Sequence, residues 1–210
     1  TQGAEMKLDE HQQDALRELF NVGMHRAAAS LSELTRQRIL VDLPKVWIVP
    51  IEEIQSQLSS MVEGDLATVH QIFAGPVAGD AVLLLEYEKA ALLTRLMTDG
   101  QVAGAGRLDQ SAREVLAEVG NVVLGACLSA FGDMLKVGVS FSVPRLHVES
   151  LSGVLRSLHV DSTELRYAVI AGTRFRLSEL EVDGYLIVAV GVTSLTRIMT
   201  ALARQARASG

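Results

Sequence analysis

Four residues of this chain recur at one fixed distance, and that recurrence limits the possible fold more than any other feature. Asp14, Glu18, Asn21 and Pro44 return as Glu114, Glu118, Asn121 and Pro144, each one hundred positions later. The stretch Leu8 to Pro44, LDEHQQDALRELFNVGMHRAAASLSELTRQRILVDLP, thus has a second copy at 108–144. A further echo lies downstream, where Leu-Thr-Arg-Leu-Met at 93–97 returns as Leu-Thr-Arg-Ile-Met at 195–199. A chain of 210 residues carrying such a repeat reads as two like units rather than one irregular sequence.

Each unit has its own succession of elements. Asp9 caps a helix expected to run to about Arg36, with Leu16, Leu19, Phe20, Gly23, Ala27, Leu31 and Leu34 forming one apolar stripe. A strand follows at Ile39–Leu43 and closes at Pro44, and EEIQSQL permits a short helix. Leu66–Ala74 and Ala81–Tyr87 read as a hairpin joined through Gly-Pro and Gly-Asp turn chemistry, and Lys89–Thr98 reads as a helix. The second unit repeats this pattern. A helix over Gln110–Leu135 is capped by Asp109 and buries Leu116, Val119, Val123, Cys127 and Phe131. Strands follow at Val139–Val143, 164–175 and 181–192, with Asp183-Gly184 a turn or bulge inside the last, and a helix covers 194–207. The Gly-rich residues 101–107 form the junction, and their lone GxG lacks the spacing and context of a phosphate-binding loop.

Three strands and two helices leave an apolar sheet face exposed, so neither unit is expected to stand alone. The expected fold is α+β. Two helix-strand-strand-strand-helix units, repeat 1 at about 8–100 and repeat 2 at about 108–207, are related by a pseudo-twofold axis. They share one sheet of about six strands in a single domain covering 1–210.

Composition removes several function classes. The net charge is −6 with no clustered Lys/Arg run, which argues against nucleic acid and anionic membranes as partners. The first residues, TQGAEMK, show no signal-peptide pattern, and apolar stretches such as Tyr185–Val192 are too short to span a bilayer. No membrane insertion and a cytoplasmic location are therefore expected. Cys127 is the single cysteine and reads as a small buried hydrophobe. His11, His25, His70, His147 and His159 are scattered without metal-ligand spacing, so no metal site is expected, and no nucleophile elbow is present.

What remains is the polar side of the two long helices. At about 100° per residue, Asp14, Glu18, Asn21 and His25 lie opposite the apolar stripe. Such a face is commonly just solvated, and Glu and Asn at i, i+3 are ordinary surface neighbours. Yet Glu and Asn persist between the copies while apolar positions drift, as Phe20 against Gly120 and Ala28 against Leu128. A carboxamide can donate and accept hydrogen bonds but takes up no proton, and a carboxylate beside it can pair with a cation. That pair suits placement of a water molecule and docking of a partner.

The pattern Asp/Ser-x-x-x-Glu-x-x-Asn, then twenty-two residues and Pro, resembles the signature of the CheC/CheX/FliY phosphatases of bacterial and archaeal chemotaxis. Asn21-Val-Gly followed by Ala27-Ala-Ala-Ser-Leu resembles the first copy in that family, and Glu118-Val-Gly-Asn121 resembles the second. Two copies in about 210 residues are similar to the CheC-type members. The resemblance implies a hydrolase that removes the aspartyl phosphate from a CheY-type response regulator. Glu18 and Glu118 would pair with a receiver lysine, and Asn21 and Asn121 would position the attacking water. Asp14 and Glu114 would assist docking, and Pro44 and Pro144 would serve structure. No cofactor is implied for this chain, because the Mg²⁺ belongs to the receiver. The receptor deamidase CheD is a further implied partner. The alternative is a non-catalytic adaptor that holds CheD or a flagellar switch component. One departure is visible, since Glu114 is longer than the family's Asp or Ser.

Overall fold

A computed structural model describes residues 8–100, 107–160 and 165–208. Among the described residues, fourteen helical and strand segments follow one another. Helix α1 (Glu10–Thr35) leads into strand β1 (Ile39–Pro50), a 3₁₀ turn (Ile51–Glu53) and the short α2 (Ile54–Leu58). Strands β2 (Leu66–Ala74) and β3 (Gly79–Glu86) then precede α3 (Tyr87–Met97). Repeat 2 supplies α4 (Gln110–Leu135), β4 (Ser140–Phe141), β5 (Arg145–Glu149), α5 (Leu151–Val160), β6 (Leu165–Leu177), β7 (Leu180–Gly191) and α6 (Val192–Ala208).

The two long helices start and stop by the same devices. Asp9 accepts a hydrogen bond from the Gln12 N–H at 2.8 Å, and Gln12 returns one to the Asp9 N–H at 3.0 Å, closing a capping box. Asp109 accepts from the Ala112 N–H at 2.8 Å. Arg36 and Lys136, again one hundred residues apart, end the helices with φ of 56° and 55°. The side-chain caps start both helices and the left-handed residues end them, giving each 26 residues.

All seven strands join one sheet in the order β1-β6-β7-β3-β2-β4, with β5 also paired to β2, and every pairing is antiparallel. The centre of the order, β7 against β3, is where the two repeats meet. Outward from it, the first strand of each repeat pairs with the second strand of the other: β1 with β6, and β4 and β5 with β2. The repeats have thus exchanged their edge strands. The expected six strands become seven because the second repeat's first strand is split at residues 142–144. The matching place in repeat 1 is a register shift between Asp42 and Lys45, where Pro44 has no N–H to give the ladder. So Pro44 does not close its strand: β1 runs on to Pro50, and an edge strand tolerates the interruption.

Both sheet faces are covered. One face carries α1, α3, α4 and α6 over a core that includes Phe20, Met24, Leu116, Leu124, Phe175 and Leu186. The other carries the 3₁₀ turn, α2 and α5 over Ile54, Leu58, Leu66, Leu158, Ile170 and Ile187. This double cover explains the unbroken buried run Ala81–Leu85 in β3. Helix α4 is long and apolar enough by composition to cross a membrane, but Leu116, Val119, Val123, Cys127 and Phe131 lie in the core.

Three further expectations change. Helix α5 covers a stretch to which no element was assigned. Leu34 belongs to no buried stripe: it is 61% exposed at the last turn of α1. Asp183-Gly184 forms neither turn nor bulge, because the ladder continues through Arg174–Asp183 and Thr173–Gly184 and the chain turns at 178–179. Glycine at 184 makes room for the neighbouring strand, since a Cβ would come within 2.9 Å of the Leu84 carbonyl oxygen. The junction at 101–106 lies outside the described residues.

Candidate functional site

Helix geometry brings each Glu and Asn together. On α1, Glu18 is exposed and Asn21, one turn on, is half-buried; on α4, Glu118 is exposed and Asn121 half-buried. Each carboxylate stands in solvent while its amide lies where the helix rounds towards the core. Asp14 sits one turn before Glu18 and pairs with Arg17 at 3.4 Å. Glu114, in the corresponding place, accepts from Gln110 Nε2 at 2.9 Å. Both are surface contacts made within one helix, so neither constrains the site strongly. Pro44 falls at the register shift of β1, and Pro144 lies between β4 and β5. His25 is exposed one turn beyond Asn21, and its counterpart is Gly125, so it belongs to one copy only.

The helices are held over the sheet by tight contacts. Phe20 meets Phe131 edge to face at 5.2 Å. Gly23 lies against Cys127, where an added Cβ would come within 2.7 Å of the Cys127 Cα. Burial pushes the Cys127 thiol well above its ordinary pKa, which makes it a packing group rather than a nucleophile.

One residue at the second site had no sequence signal strong enough to single it out. Gln71, in β2, is only 2% exposed. Its Nε2 donates to Asn121 Oδ1 at 3.0 Å and to the Ser142 carbonyl at 3.0 Å. Ser142 is fixed in turn to Ile72, whose N–H donates to Ser142 Oγ at 2.9 Å and whose carbonyl accepts from the Ser142 N–H at 2.9 Å. The available clue was the alternation of LATVHQIFA, which places Gln71 with Val69 and Phe73 on the side facing the long helices. His70 points to the opposite side of the sheet, where Nε2 lies 3.2 Å from Asp80 Oδ2.

Chemically, each site offers an exposed carboxylate and an amide at an open surface. A cleft of about 680 Å³ lies elsewhere, lined by Met134, Val137, Arg197 and Arg204 among others and by none of the Asp14, Glu18, Asn21, Glu114, Glu118 or Asn121 side chains. Among the described residues no three His, Cys, Asp or Glu side chains gather as a metal site. The surface can accept from a cationic donor and orient a hydrogen-bonding ligand.

No family model matches the chain. Curated proteins do. The chain is 21% identical over 170 residues to the CheY-P phosphatase CheC of Bacillus subtilis (strain 168), a match spanning 79% of this chain and 80% of CheC. It is 24% identical over 145 residues to the flagellar motor switch phosphatase FliY of the same organism, spanning 67% of this chain and 36% of FliY. Among solved structures, Thermotoga maritima FliY superposes with a TM-score of 0.75 at 18% identity, over 95% of this chain and 99% of that one. The middle domain of FliM from H. pylori gives a TM-score of 0.64 at 10% identity, over 92% of this chain and 99% of that one. The latter two likenesses concern the fold.

Proposed function

The chain belongs to the CheC/CheX/FliY family, and on that premise we propose that it hydrolyses the aspartyl phosphate of a CheY-type response regulator. The observation that carries the reading is the doubled pair itself: an exposed Glu beside a half-buried Asn at equivalent places on two helices. Both pairs lie at open surface, an arrangement that suits a reacting group carried on a macromolecule.

In this reading Glu18 or Glu118 accepts from a receiver lysine and sets the helix against the receiver. Asn21 or Asn121 then enters the receiver's site and holds a water in line with the phosphorus. The water oxygen bonds to phosphorus, the bond from phosphorus to the aspartyl oxygen breaks, and inorganic phosphate and a free carboxylate result. A Mg²⁺ held by the receiver, not by this chain, supplies charge neutralisation. Positioning alone is an adequate contribution, because a loose phosphoryl-transfer transition state asks the protein mainly for alignment and electrostatics.

Phosphate release from a phosphorylated CheY-type receiver with Mg²⁺ tests the proposal. Acceleration by this chain is expected. Binding of the receiver, CheD or a flagellar switch component with no acceleration would establish the adaptor reading instead. The sequence likeness to the flagellar motor switch phosphatase FliY makes a switch component the first adaptor partner to assay.

A further inference from the structure

The two amides are not held alike. Helix α4 presents Gly120 to β2, where an added Cβ would meet the Val69 side chain at 2.4 to 2.8 Å. Only glycine lets the helix lie that close. The corresponding residue of α1 is Phe20, fully buried. Because α4 lies close, the next residue, Asn121, reaches Gln71 at 3.0 Å.

Register identifies what stands in Gln71's place in repeat 1. Arg145 pairs with His70, and Lys45 pairs with Gly172. Since 45 + 100 = 145 and 70 + 102 = 172, the residue equivalent to Gln71 is Thr173. Thr173 is buried, and its Oγ1 has no hydrogen-bond partner among the described residues. The Asn21 side chain likewise forms no hydrogen bond among them. Thr173 therefore does not hold Asn21 as Gln71 holds Asn121.

We propose that Gln71 is a positioning residue for Asn121, holding its carboxamide with the oxygen inward and the Nδ2 hydrogens outward. The orientation follows from the Ser142 carbonyl. That group can only accept, so Gln71 must turn Nε2 towards it. The same Nε2 then faces Asn121 and requires an acceptor, which is Oδ1. Asn121 therefore meets a partner as a pre-set donor, whereas Asn21 must be ordered during the encounter. A group already aligned gives up less freedom when the reacting atoms come together. The buried Gln71 does not touch the receiver and acts only through Asn121. The inference rests on the phosphatase reading of Asn121.

Two experiments test it. In an Asn21→Ala chain, where only the second site works, Gln71→Met keeps the volume and removes the donor. The expected result is a fall in kcat of about tenfold with KM little changed. Turnover in Asn21→Ala that Gln71→Met leaves within about twofold would overturn the positioning role alone. No turnover in Asn21→Ala would overturn it together with the second-site phosphatase reading. The unsubstituted chain offers an independent readout that does not depend on a variant folding. The side-chain NH₂ of Asn121 should show a higher NMR order parameter than that of Asn21, and equal mobility of the two would contradict the proposal.

Discussion

Repeat 1 and repeat 2 place one motif in two different settings, and the residue just before each Asn makes the difference. In repeat 1 that residue is Phe20, which fills the space under α1 and packs on Phe131. In repeat 2 it is Gly120, which leaves no such space and sets α4 on Val69. The edge strands differ as well. Strand β1 is continuous across its bulge and buries Val41 and Leu43, whereas the split between β4 and β5 leaves Phe141 38% and Val143 80% exposed. The second amide is thus tied through Gln71 to a split edge carrying apolar surface, and the first has no such tie among the described residues. Duplicated sequence preserves the chemistry at the helix surface while the layer beneath it diverges.

The sharpest way to break this comparison is to remove the spacer in repeat 1. Phe20→Ala should lower the unfolding free energy by about 3–5 kcal/mol in a urea titration, because a fully buried ring and its partner contact are lost. A loss below about 1 kcal/mol would mean that the space under α1 collapses freely and that Phe20 is no spacer. The reciprocal change in repeat 2 is smaller. Gly120→Ala pushes a methyl into Val69 and should cost about 1–3 kcal/mol. It should also loosen the Asn121–Gln71 contact, read as a drop in turnover in an Asn21→Ala background; unchanged stability would refute the close approach.

These two residues also mark how far the sequence could be read. The long helices were legible because Asp9 and Asp109 cap them and because apolar residues recur at helical spacing. Strand β2 was legible to the residue, bounded by Asp65 before it and Gly75-Pro76 after it. Helix α5 was not: Leu151–Val160 is short and contains Gly153, although Ser150 caps it by accepting from the Gly153 N–H at 3.3 Å. Leu34 fits the stripe by period, yet the helix ends there beyond its cover, and spacing does not report where a neighbour stops. The exchanged edge strands are long-range pairings that local patterns do not encode. For the same reason the Glu-x-x-Asn pairs were visible in the sequence, while Gln71, fifty residues from Asn121, was not.

The mildest perturbation is at the exposed carboxylates. Glu18→Ala and Glu118→Ala should each change stability by no more than about 0.5 kcal/mol, since neither side chain forms an ion pair among the described residues. Each should nevertheless weaken receiver binding about tenfold in a titration, the order expected for losing one hydrogen bond to a charged group. A collapse in Tm with unaltered binding would make the glutamates structural and undo the docking role.

The most direct test of the account is the rate of phosphate release from a phosphorylated CheY-type receiver, measured in parallel for the unsubstituted chain, Asn21→Ala, Asn121→Ala and the double variant. The account predicts that the double variant loses acceleration by about 100-fold or more, and that Asn121→Ala costs more than Asn21→Ala. A double variant that still releases phosphate at the unsubstituted rate would contradict it.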